Sequence, residues 1–442
     1  MAQLKAQTLK GFRDFLPDLM APRQAMIRQI EQVFERHGFQ PLQTPALEYK
    51  ETLAGKYGDE GDKLLYSFKD HGDREVALRY DLTVPLARVV AEHRGELQLP
   101  FRRYQVAPVW RADKPQRGRF REFFQCDADI CGVDSAMADA EVLLTGLAVL
   151  RALGVEDAVL HLNHRDVLFG LIAAAGVTEK PQQIQCIRAI DKLDKVPPAV
   201  VQAEIVTNAQ VSEQVAHALV ELFTTPRSLT EIQAICLENS GNETLQLAFA
   251  RVTAVLGLID AAGFGKQLQF NPTIARGLDY YTGIIYETRL THPKVSGIGA
   301  VMSGGRYDGL IGLFTKEVIP AVGISLGLDR LLAALQELDL IAKDSHAIEA
   351  YVTIFAPETA ESSVAIAQLL RAAGLRVELD LAGGKLGKQL ERASKRGARL
   401  AVMAGPDEVQ AGQATLKDLR HNSQELVALG QLGETARRIL AA

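Results

Sequence analysis

Cysteine is scarce in this chain, and its cysteines form neither a metal-binding nor a disulfide-rich pattern. The four are Cys126, Cys131, Cys186 and Cys236, and their spacing fits no common zinc signature. We expect buried free thiols, the usual state of cysteine in a reducing compartment. The N-terminus has no apolar signal core, and no stretch reads as long and apolar enough to span a membrane. These absences predict a cytoplasmic protein with no membrane partner.

Three common enzyme devices are also missing. The sequence has no GxxxxGK[ST] phosphate loop, and GIGAVMSGG at 297–305 lacks the strand–GxGxxG–helix setting of a dinucleotide site. Its glycines are instead expected to mark bulges or close backbone approach in a strand. No Ser–His or Cys–His pairing is evident. The net charge of −5 means that any nucleic acid must be bound by local basic patches.

The chain has the length and composition of a soluble protein with several domains. Its 442 residues exceed one ordinary hydrophobic core, so two or three domains are expected. A hydrophobic content of 47% and a charged content of 23% are typical of globular proteins.

Two polar clusters stand out from this background. RGLDYYTG at 276–283 puts a guanidinium, a carboxylate and two phenols immediately before a strand-like run. Between Arg102 and Arg121 there are seven basic residues and one acidic residue, in two strand-like stretches that flank a loop at 112–118. Guanidinium groups match phosphate oxygens well, so local basicity in an acidic chain favours a phosphate ligand.

Together with three further segments, these clusters resemble the class II aminoacyl-tRNA synthetases. HGFQPLQTPALE at 37–48 is similar to motif 1, the strand–loop–strand around Arg111 to motif 2, and AVGISLGLDRLLAAL at 321–335 to motif 3. RGLDYYTG and SGGRYDGL (303–310) resemble the two signature motifs of the histidyl-tRNA synthetase family. The match runs in the right order from about residue 11 to the C-terminus.

The resemblance implies an α+β fold. Residues 1–165 and 263–341 would form a class II catalytic domain on an antiparallel sheet, interrupted by a helical insertion domain at 166–262. Residues 347–442 alternate between strand-like and helical segments and would form an α/β anticodon-binding domain. The helical stripe at 22–37 and the extended segment after it would lie in a homodimer interface.

The implied reaction joins L-histidine to tRNA(His) in two steps, through histidyl-adenylate. ATP is then a substrate, and Mg²⁺ would accompany its phosphates rather than be held by protein side chains. Arg111 and Arg276 are implied at the α-phosphate as the catalytic residues. Arg330 is implied at the γ-phosphate end, and Arg119 near the bent triphosphate.

Histidine recognition needs acceptors for an ammonium group and two partners for the imidazole nitrogens. The resemblance places Asp81, Thr83 and Gln125 at the ammonium, and Asp129 and Tyr281 at the ring. Three further residues are expected to line the histidine site: Arg276, Tyr280 and Tyr307.

The acidic positions of this pattern carry a shorter side chain than one common form of the family. Asp81, Asp113 and Asp129 stand where glutamate is frequent, which keeps the charge but shortens the reach by one methylene. The segments LRYDLTVP and QCDADI resemble a eukaryote-like subtype of the family.

For tRNA, the motif 2 loop is implied at the acceptor end, through Lys114, Gln116 and Arg117. Residues 347–442 contain twelve basic and eleven acidic residues, so charge alone does not mark this domain as an RNA binder. Contacts to base edges and shape would have to carry anticodon specificity.

Two other functions stay open at this stage. Paralogues of these synthetases act as regulatory subunits of the first enzyme of histidine biosynthesis, and degenerate synthetase domains sense uncharged tRNA within larger kinases. The first group typically loses RGLDYYTG and the C-terminal domain, both of which this chain has. Neither alternative would form an adenylate.

Overall fold

The chain folds into two compact units, 1–341 and 342–442. The computed structural model describes residues 5–57, 61–115, 118–240, 242–275, 280–341 and 348–441, except for the side chains of 239 and 240. Arg276, Gln116 and Arg117, to which the sequence assigns roles, lie outside the described residues.

An antiparallel-rich sheet of eight strands forms the centre of the first unit. Its order is β1-β5-β6-β11-β10-β9-β7-β8, and the pairs β1–β5 and β7–β8 at its two edges are parallel. A small separate sheet has the order β2-β4-β3. The strands of this unit are β1 (Gln40–Pro41), β2 (Leu47–Tyr49), β3 (Ser67–Lys69), β4 (Glu75–Leu78), β5 (Phe101–Trp110), β6 (Glu122–Cys131), β7 (Ala158–His164), β8 (Leu268–Phe270), β9 (Ile284–Leu290), β10 (Ala300–Arg306) and β11 (Ala321–Gly327).

The β5–β6 hairpin confirms the strand–loop–strand expected around the basic cluster. Its ten residue pairs run from Phe101 opposite Cys131 to Trp110 opposite Glu122. Because side chains alternate between the two faces of a strand, Gln125 and Asp129 lie on one face while Cys126 and Ile130 point into the core. This alternation gives the sheet one apolar face and one polar face.

Helices cover the apolar face. The main core joins buried residues of α1, α4, α10 and α11 to the strands, and α4 begins with Ser135, whose side chain accepts from the backbone N–H of Ala138. The helices of this unit are α1 (Pro17–Arg36), α2 (Lys50–Leu53), α3 (Thr83–Glu92), α4 (Ala136–Ala152), α5 (Arg165–Ala174), α6 (Lys180–Ile190), α7 (Pro198–Ala209), α8 (Glu213–Thr224), α9 (Leu229–Ser240), α10 (Glu243–Ala261) and α11 (Leu328–Glu337).

Helix α10 corrects one expectation from the sequence. It is long and apolar enough, by length and composition, to cross a membrane, whereas no such stretch was expected. Only 33% of its apolar window is buried. Leu245 and Phe249 pack into the core of the helical block, and Val252 and Val255 into the sheet core. The helix thus joins two hydrophobic cores within one unit.

The helical block α5–α10 is inserted between β7 and β8 and has its own core. All four cysteines are buried thiols, as expected, and Cys186 and Cys236 lie in this core. The chain enters the block at His164, whose imidazole caps α5 by accepting from the backbone N–H of Asp166. Burial, with Arg251 and Arg306 nearby, lowers the pKa of His164 to about 4.

The second unit has a five-stranded sheet of order β13-β12-β14-β15-β16. The expected alternation of strands and helices is present from β12 to β14. The three strands of this part, β12, β13 and β14, are parallel. The sequence analysis did not foresee the antiparallel β15–β16 hairpin or the last helix. The elements are β12 (Ala350–Val352), α12 (Ala360–Ala372), β13 (Val377–Leu379), α13 (Leu386–Lys395), β14 (Leu400–Met403), α14 (Pro406–Gln410), β15 (Gln413–Asp418), β16 (Ser423–Ala428) and α15 (Leu432–Ala441). The α+β fold class is confirmed.

We predict that His164 makes the first unit sensitive to mild acid. Below the ordinary pKa of histidine, His164 takes up a proton in the unfolded chain. In the folded protein His164 stays neutral, because its pKa is lowered to about 4. The stabilisation that neutral His164 gives the folded unit is therefore complete near neutral pH, and it is lost as the pH falls towards 4. Between pH 7 and pH 5 wild type should lose about 2 kcal/mol more unfolding free energy than His164→Asn, because asparagine keeps a cap without titrating.

Urea unfolding at several pH values, followed by fluorescence, measures this difference. The single tryptophan, Trp110, ends β5 and therefore reports on the first unit. His217→Asn is the matched control, since it makes the same substitution at an exposed position of α8. Equal pH dependence in wild type and His164→Asn would contradict the prediction.

Candidate active site

A cavity of about 400 Å³ lies on the polar face of the large sheet. Its walls come from β6, β10 and β11, from the loop after β5, and from the start of α11. Its lining combines cationic side chains with carboxylates and phenols. The cations are Lys56, Arg111, Arg119 and Arg330.

Arg111 and Arg330 are fixed by backbone contacts on the wall. Arg111 donates through Nε to the carbonyl of Tyr80 at 3.0 Å, and its guanidinium lies 4.2 Å from the centroid of the Tyr80 ring. Arg330, in the first turn of α11, donates through Nη1 to the carbonyl of Ala300 at 2.8 Å. Such planar, packed guanidinium groups suit a phosphate ligand, because their orientation is set before binding.

Arg119 is held differently, by a carboxylate. Its Nε and Nη2 lie 3.1 and 3.0 Å from the two oxygens of Asp113, and 46% of its side chain is exposed. Arg119 is therefore paired within the protein while it remains accessible to an anion. Lys114 lies next to this pair and is exposed.

The N-terminal segment contacts the loop that carries Lys114 and Arg119. The backbone N–H of Arg121 donates to the carbonyl of Gly11 at 2.9 Å. The guanidinium of Arg13 lies 3.6 Å from the centroid of the Phe120 ring and forms an ion pair with Asp329. Residues 11–13 thus connect the loop to the start of α11.

A second part of the cavity is lined by carboxylate, hydroxyl, amide and phenol groups. The Asp81 carboxylate accepts from Tyr57 Oη and from the backbone N–H of Val84, both at 3.1 Å. Burial raises the pKa of Asp81, and these hydrogen bonds oppose the rise. The remaining predicted residues that line this part are Thr83, Gln125, Tyr280 and Tyr281.

Asp129 and Tyr307 do not line the cavity, although the sequence places both in the histidine site. Both are buried, and Tyr307 donates its hydroxyl to Asp129. Asp129 Oδ2 lies 2.7 Å from Nη2 of Arg103, directly opposite on β5. Tyr281 therefore lines the cavity, whereas Asp129 does not.

Glycine makes room for this arrangement on the sheet. Gly323 pairs with Asp129 across β11 and β6, and a Cβ there would collide with the Asp129 carboxylate. At Gly305 a Cβ would lie 2.6 Å from the carbonyl oxygen of Ile284 and 3.1 Å from the Tyr281 ring. Of the glycines at 297–305, the expected close approach is present at Gly305 and at Gly304, where a Cβ would collide with the carbonyl oxygen of Gly323, whereas Gly297 lies in a 3₁₀ helix.

Asp127 is the most unusual residue near the cavity and was missed by the sequence analysis. It is fully buried on the same strand face as Asp129, and burial together with the Asp129 charge raises its pKa to about 8, against the opposing effect of Arg103. The alternation of Gln125, Asp127 and Asp129 was a signal that could have revealed it. Lys56, Tyr57, Tyr80 and Ser325 also line the cavity without having been predicted.

The fold and the cavity define a class II aminoacyl-tRNA synthetase, with an antiparallel sheet, arginines on its polar face and the motifs in order. The family described as "Histidyl-tRNA synthetase" matches residues 11–331, and the "Anticodon binding domain" family matches residues 349–439. This chain belongs to the histidyl-tRNA synthetase family.

Relatives match over nearly the full length. The histidine–tRNA ligase of Rhodopirellula baltica is 42% identical over 427 residues, 96% of each chain. The histidine–tRNA ligase of Gloeobacter violaceus is 39% identical, and the match covers 97% of each chain. The crystal structure of histidyl-tRNA synthetase from Nostoc sp. PCC 7120 superposes with a TM-score of 0.85 at 31% identity, over 99% of this chain and 100% of that one.

A solved structure described as an ATP phosphoribosyltransferase regulatory subunit/histidyl-tRNA synthetase from Bacillus halodurans has a TM-score of 0.73 at 23% identity. It covers 88% of this chain and shows a shared fold alone.

We predict that Arg103→Met severely destabilises the first unit. Arg103 is completely buried, so its removal leaves Asp127 and Asp129 without their nearby counter-charge. Breaking a buried pair in this way costs about 3–5 kcal/mol of unfolding free energy. Urea unfolding followed by Trp110 fluorescence measures the loss.

Arg102→Met on the same strand is the matched control. The side chain of Arg102 is 41% exposed and pairs with Glu141 at 3.1 Å, so its loss should cost about 1 kcal/mol or less. Equal losses in the two variants would show that Arg103 does not neutralise the buried carboxylates.

Proposed function

We propose that this protein is a histidine–tRNA ligase that activates L-histidine with ATP and transfers it to the 3′ end of tRNA(His). The observation that carries the proposal is the cavity, where arginines on one wall stand beside carboxylate, hydroxyl, amide and phenol groups. One part suits a triphosphate, and the other suits a small ligand with an ammonium group. Family membership supports the same reaction.

The first step needs positioning and positive charge rather than a general base. The histidine carboxylate, ionised at neutral pH because its pKa is about 3.5, attacks the α-phosphorus and releases pyrophosphate. Negative charge then grows on the α-phosphate oxygens, where fixed guanidinium groups stabilise it. In the second step the tRNA ribose hydroxyl attacks the carbonyl carbon, and AMP leaves.

We assign Arg111 to the α-phosphate and Arg330 to the γ-phosphate end. Both are held by backbone carbonyls on the cavity wall, so they keep their orientation without substrate. Arg119 would approach the triphosphate from its pair with Asp113. Arg276 remains assigned to the α-phosphate and the histidine carboxylate from the family motif alone.

Asp81, Thr83 and Gln125 would receive the histidine ammonium. Tyr280 and Tyr281 would pack around the imidazole, with Tyr281 at a ring nitrogen. Because Asp129 lies outside the cavity lining, its proposed contact with the ring requires a rearrangement of side chains on binding. Tyr307 supports Asp129 through its hydroxyl.

Mg²⁺ would enter with the ATP phosphates. The lining carboxylates Asp113 and Asp329 are paired with Arg119 and Arg13, so phosphate oxygens and water would supply most of its ligands, as Mg²⁺ prefers. When bound, the ion would neutralise charge on the phosphates.

The same proposal assigns parts of the chain to tRNA. The loop with Lys114, Gln116 and Arg117 would contact the acceptor end, and residues 347–442 would read the anticodon. We keep residues 166–262 as the insertion domain and residues 1–165 with 263–341 as the catalytic domain.

We further propose a cytoplasmic homodimer. Supporting the dimer, the small sheet of the first unit exposes large apolar side chains that an isolated subunit would leave in water. Leu47 is 40%, Tyr49 is 52% and Phe68 is 48% exposed.

Histidine-dependent exchange between ATP and pyrophosphate tests the function. The purified protein should catalyse exchange with histidine and not with the other amino acids, because the first step is reversible and specific. Histidine binding without exchange would contradict the proposal and favour a regulatory subunit, to be followed by a search for a phosphoribosyltransferase partner.

A truncated protein tests the role of the second unit. We predict that a chain ending at Ile341 retains histidine-dependent exchange, because the cavity residues all lie in the first unit. It should charge tRNA(His) at least about a hundredfold less efficiently, since it loses the contacts that discriminate RNA. Undiminished aminoacylation by the truncated chain would place anticodon reading elsewhere.

A further inference from the structure

Residues 11–13, called the N-terminal strap below, contact the loop that follows β5. The backbone N–H of Arg121 donates to the carbonyl of Gly11 at 2.9 Å. Arg121 also donates through Nε to the carbonyl of Asp113 at 3.1 Å. The carboxylate of the same Asp113 pairs with Arg119, one of the cations that line the cavity. The strap is therefore connected to Arg119 through two residues of the loop.

The guanidinium of Arg13 connects this loop to the start of α11. It lies 3.6 Å from the centroid of the Phe120 ring and 4.4 Å from the centroid of the Phe15 ring. It also forms an ion pair with Asp329, whose side chain is 4% exposed. Phe120 and Asp329 both line the cavity, and Asp329 directly precedes Arg330 in α11. One side chain of the strap therefore contacts both the loop and the helix that carry cations of the cavity wall.

Asp329 is itself fixed by elements outside the loop. Its Oδ2 accepts from the backbone N–H of Phe124, in β6, at 2.9 Å. Its Oδ1 lies 3.7 Å from Nε of Arg23, a buried residue of α1. The Arg23 guanidinium lies 4.1 Å from the centroid of the Phe124 ring. Arg13 therefore ties the loop to a position that the sheet and α1 determine.

The pair of Arg119 and Asp113 cannot perform this task. Both residues belong to the loop, so their ion pair moves with the loop and does not fix it to the sheet. A triphosphate needs its cations at set positions, because charge stabilisation is strongest where the cations are oriented before the ligand binds. Contacts from outside the loop, such as those of the strap, are needed to set where Arg119 lies.

We propose that the N-terminal strap holds the loop and α11 at the spacing that ATP requires, and that Arg13 is a positioning residue for ATP. The inference rests on the proposed function, since it takes ATP as the ligand of the arginine-lined wall. Arg13 does not line the cavity. It therefore acts on ATP through Phe120 and Asp329 and not by touching the nucleotide.

ATP–pyrophosphate exchange, measured against the concentration of each substrate, tests this role. Arg13→Gln should raise the KM for ATP about tenfold, because the loop loses a stacked guanidinium and with it a fixed position. The KM for histidine should stay at its wild-type value, since the contacts of the strap described above do not include Asp81, Thr83 or Gln125. A merely structural role would instead reduce the amount of active enzyme, and thus kcat, with both KM values unchanged.

Two further variants separate the strap from general effects. Arg151→Gln is the matched control, because it removes a guanidinium that lies 4.0 Å from the centroid of the Phe264 ring, in the last turn of α4 and outside the cavity lining. It should leave both KM values unchanged. Gly11→Ala disturbs the strap while it keeps Arg13. Gly11 has a φ of +90°, and a Cβ there would lie 2.8 Å from Cδ of Arg121, so this variant should also raise the KM for ATP alone.

Arg13→Lys separates charge from position. Lysine keeps a positive charge beside Asp329 but lacks the planar guanidinium that lies over the Phe120 ring. Most of the rise in the KM for ATP should therefore persist in this variant. A wild-type KM for ATP in Arg13→Lys would show that neutralising Asp329 is sufficient, and it would overturn the positioning role.

An unchanged KM for ATP in either Arg13→Gln or Gly11→Ala would also overturn the proposal. If the wild-type protein binds ATP without catalysing exchange, the proposed enzyme is refuted. The Kd for ATP in the same variants, from isothermal titration, then decides the role of the strap. Wild-type protein that binds no ATP would refute both.

Discussion

The guanidinium of Arg103 lies wholly inside the first unit, between strands whose polar face carries two carboxylates. Asp129 is opposite it in the β5–β6 register, and Asp127 lies two residues along the same strand face. Burying an isolated charge is costly, whereas a neutralised group of charges is tolerated. Because Arg103 offsets most of this negative charge, a sheet with an apolar core on one side can carry a polar surface on the other.

This buried charge group also determines what reaches the cavity. Arg103 and Tyr307 hold Asp129 below the lining, and the Tyr281 ring packs over Gly305 beside it. The cations that line the cavity include Arg111 and Arg330, which backbone carbonyls hold on the wall. The site therefore separates cations at its surface, suited to phosphates, from carboxylates that are buried or hydrogen-bonded and suited to an ammonium.

The strand-like stretches on either side of the loop at 112–118 were enough to predict the β5–β6 hairpin, because strand and turn signals depend on local sequence alone. It could not predict which buried groups would pair, since Arg103 and Tyr307 come from distant segments. Arg111, Asp81 and Gln125 line the cavity as the family motifs implied. Asp127 was not predicted because an aspartate two residues from another aspartate is an ordinary pattern on the polar face of a strand. The β15–β16 hairpin was missed because β16 is mostly exposed and polar, which weakens the apolar pattern of a strand.

This arrangement gives a physical reason for an aspartate at position 129. A side chain one methylene shorter than glutamate reaches Arg103 and the Tyr307 hydroxyl while it remains over Gly323. Asp127 lies two residues away, opposite Ser325 in the register of β6 and β11. The acidic residues of this strand thus differ in their surroundings: Asp129 is packed against the Arg103 guanidinium, and Asp127 lies opposite Ser325 on β11. Of the two, Asp127 is closer to the cavity wall through its cross-strand neighbour, because Ser325 lines the cavity whereas Gly323, opposite Asp129, does not.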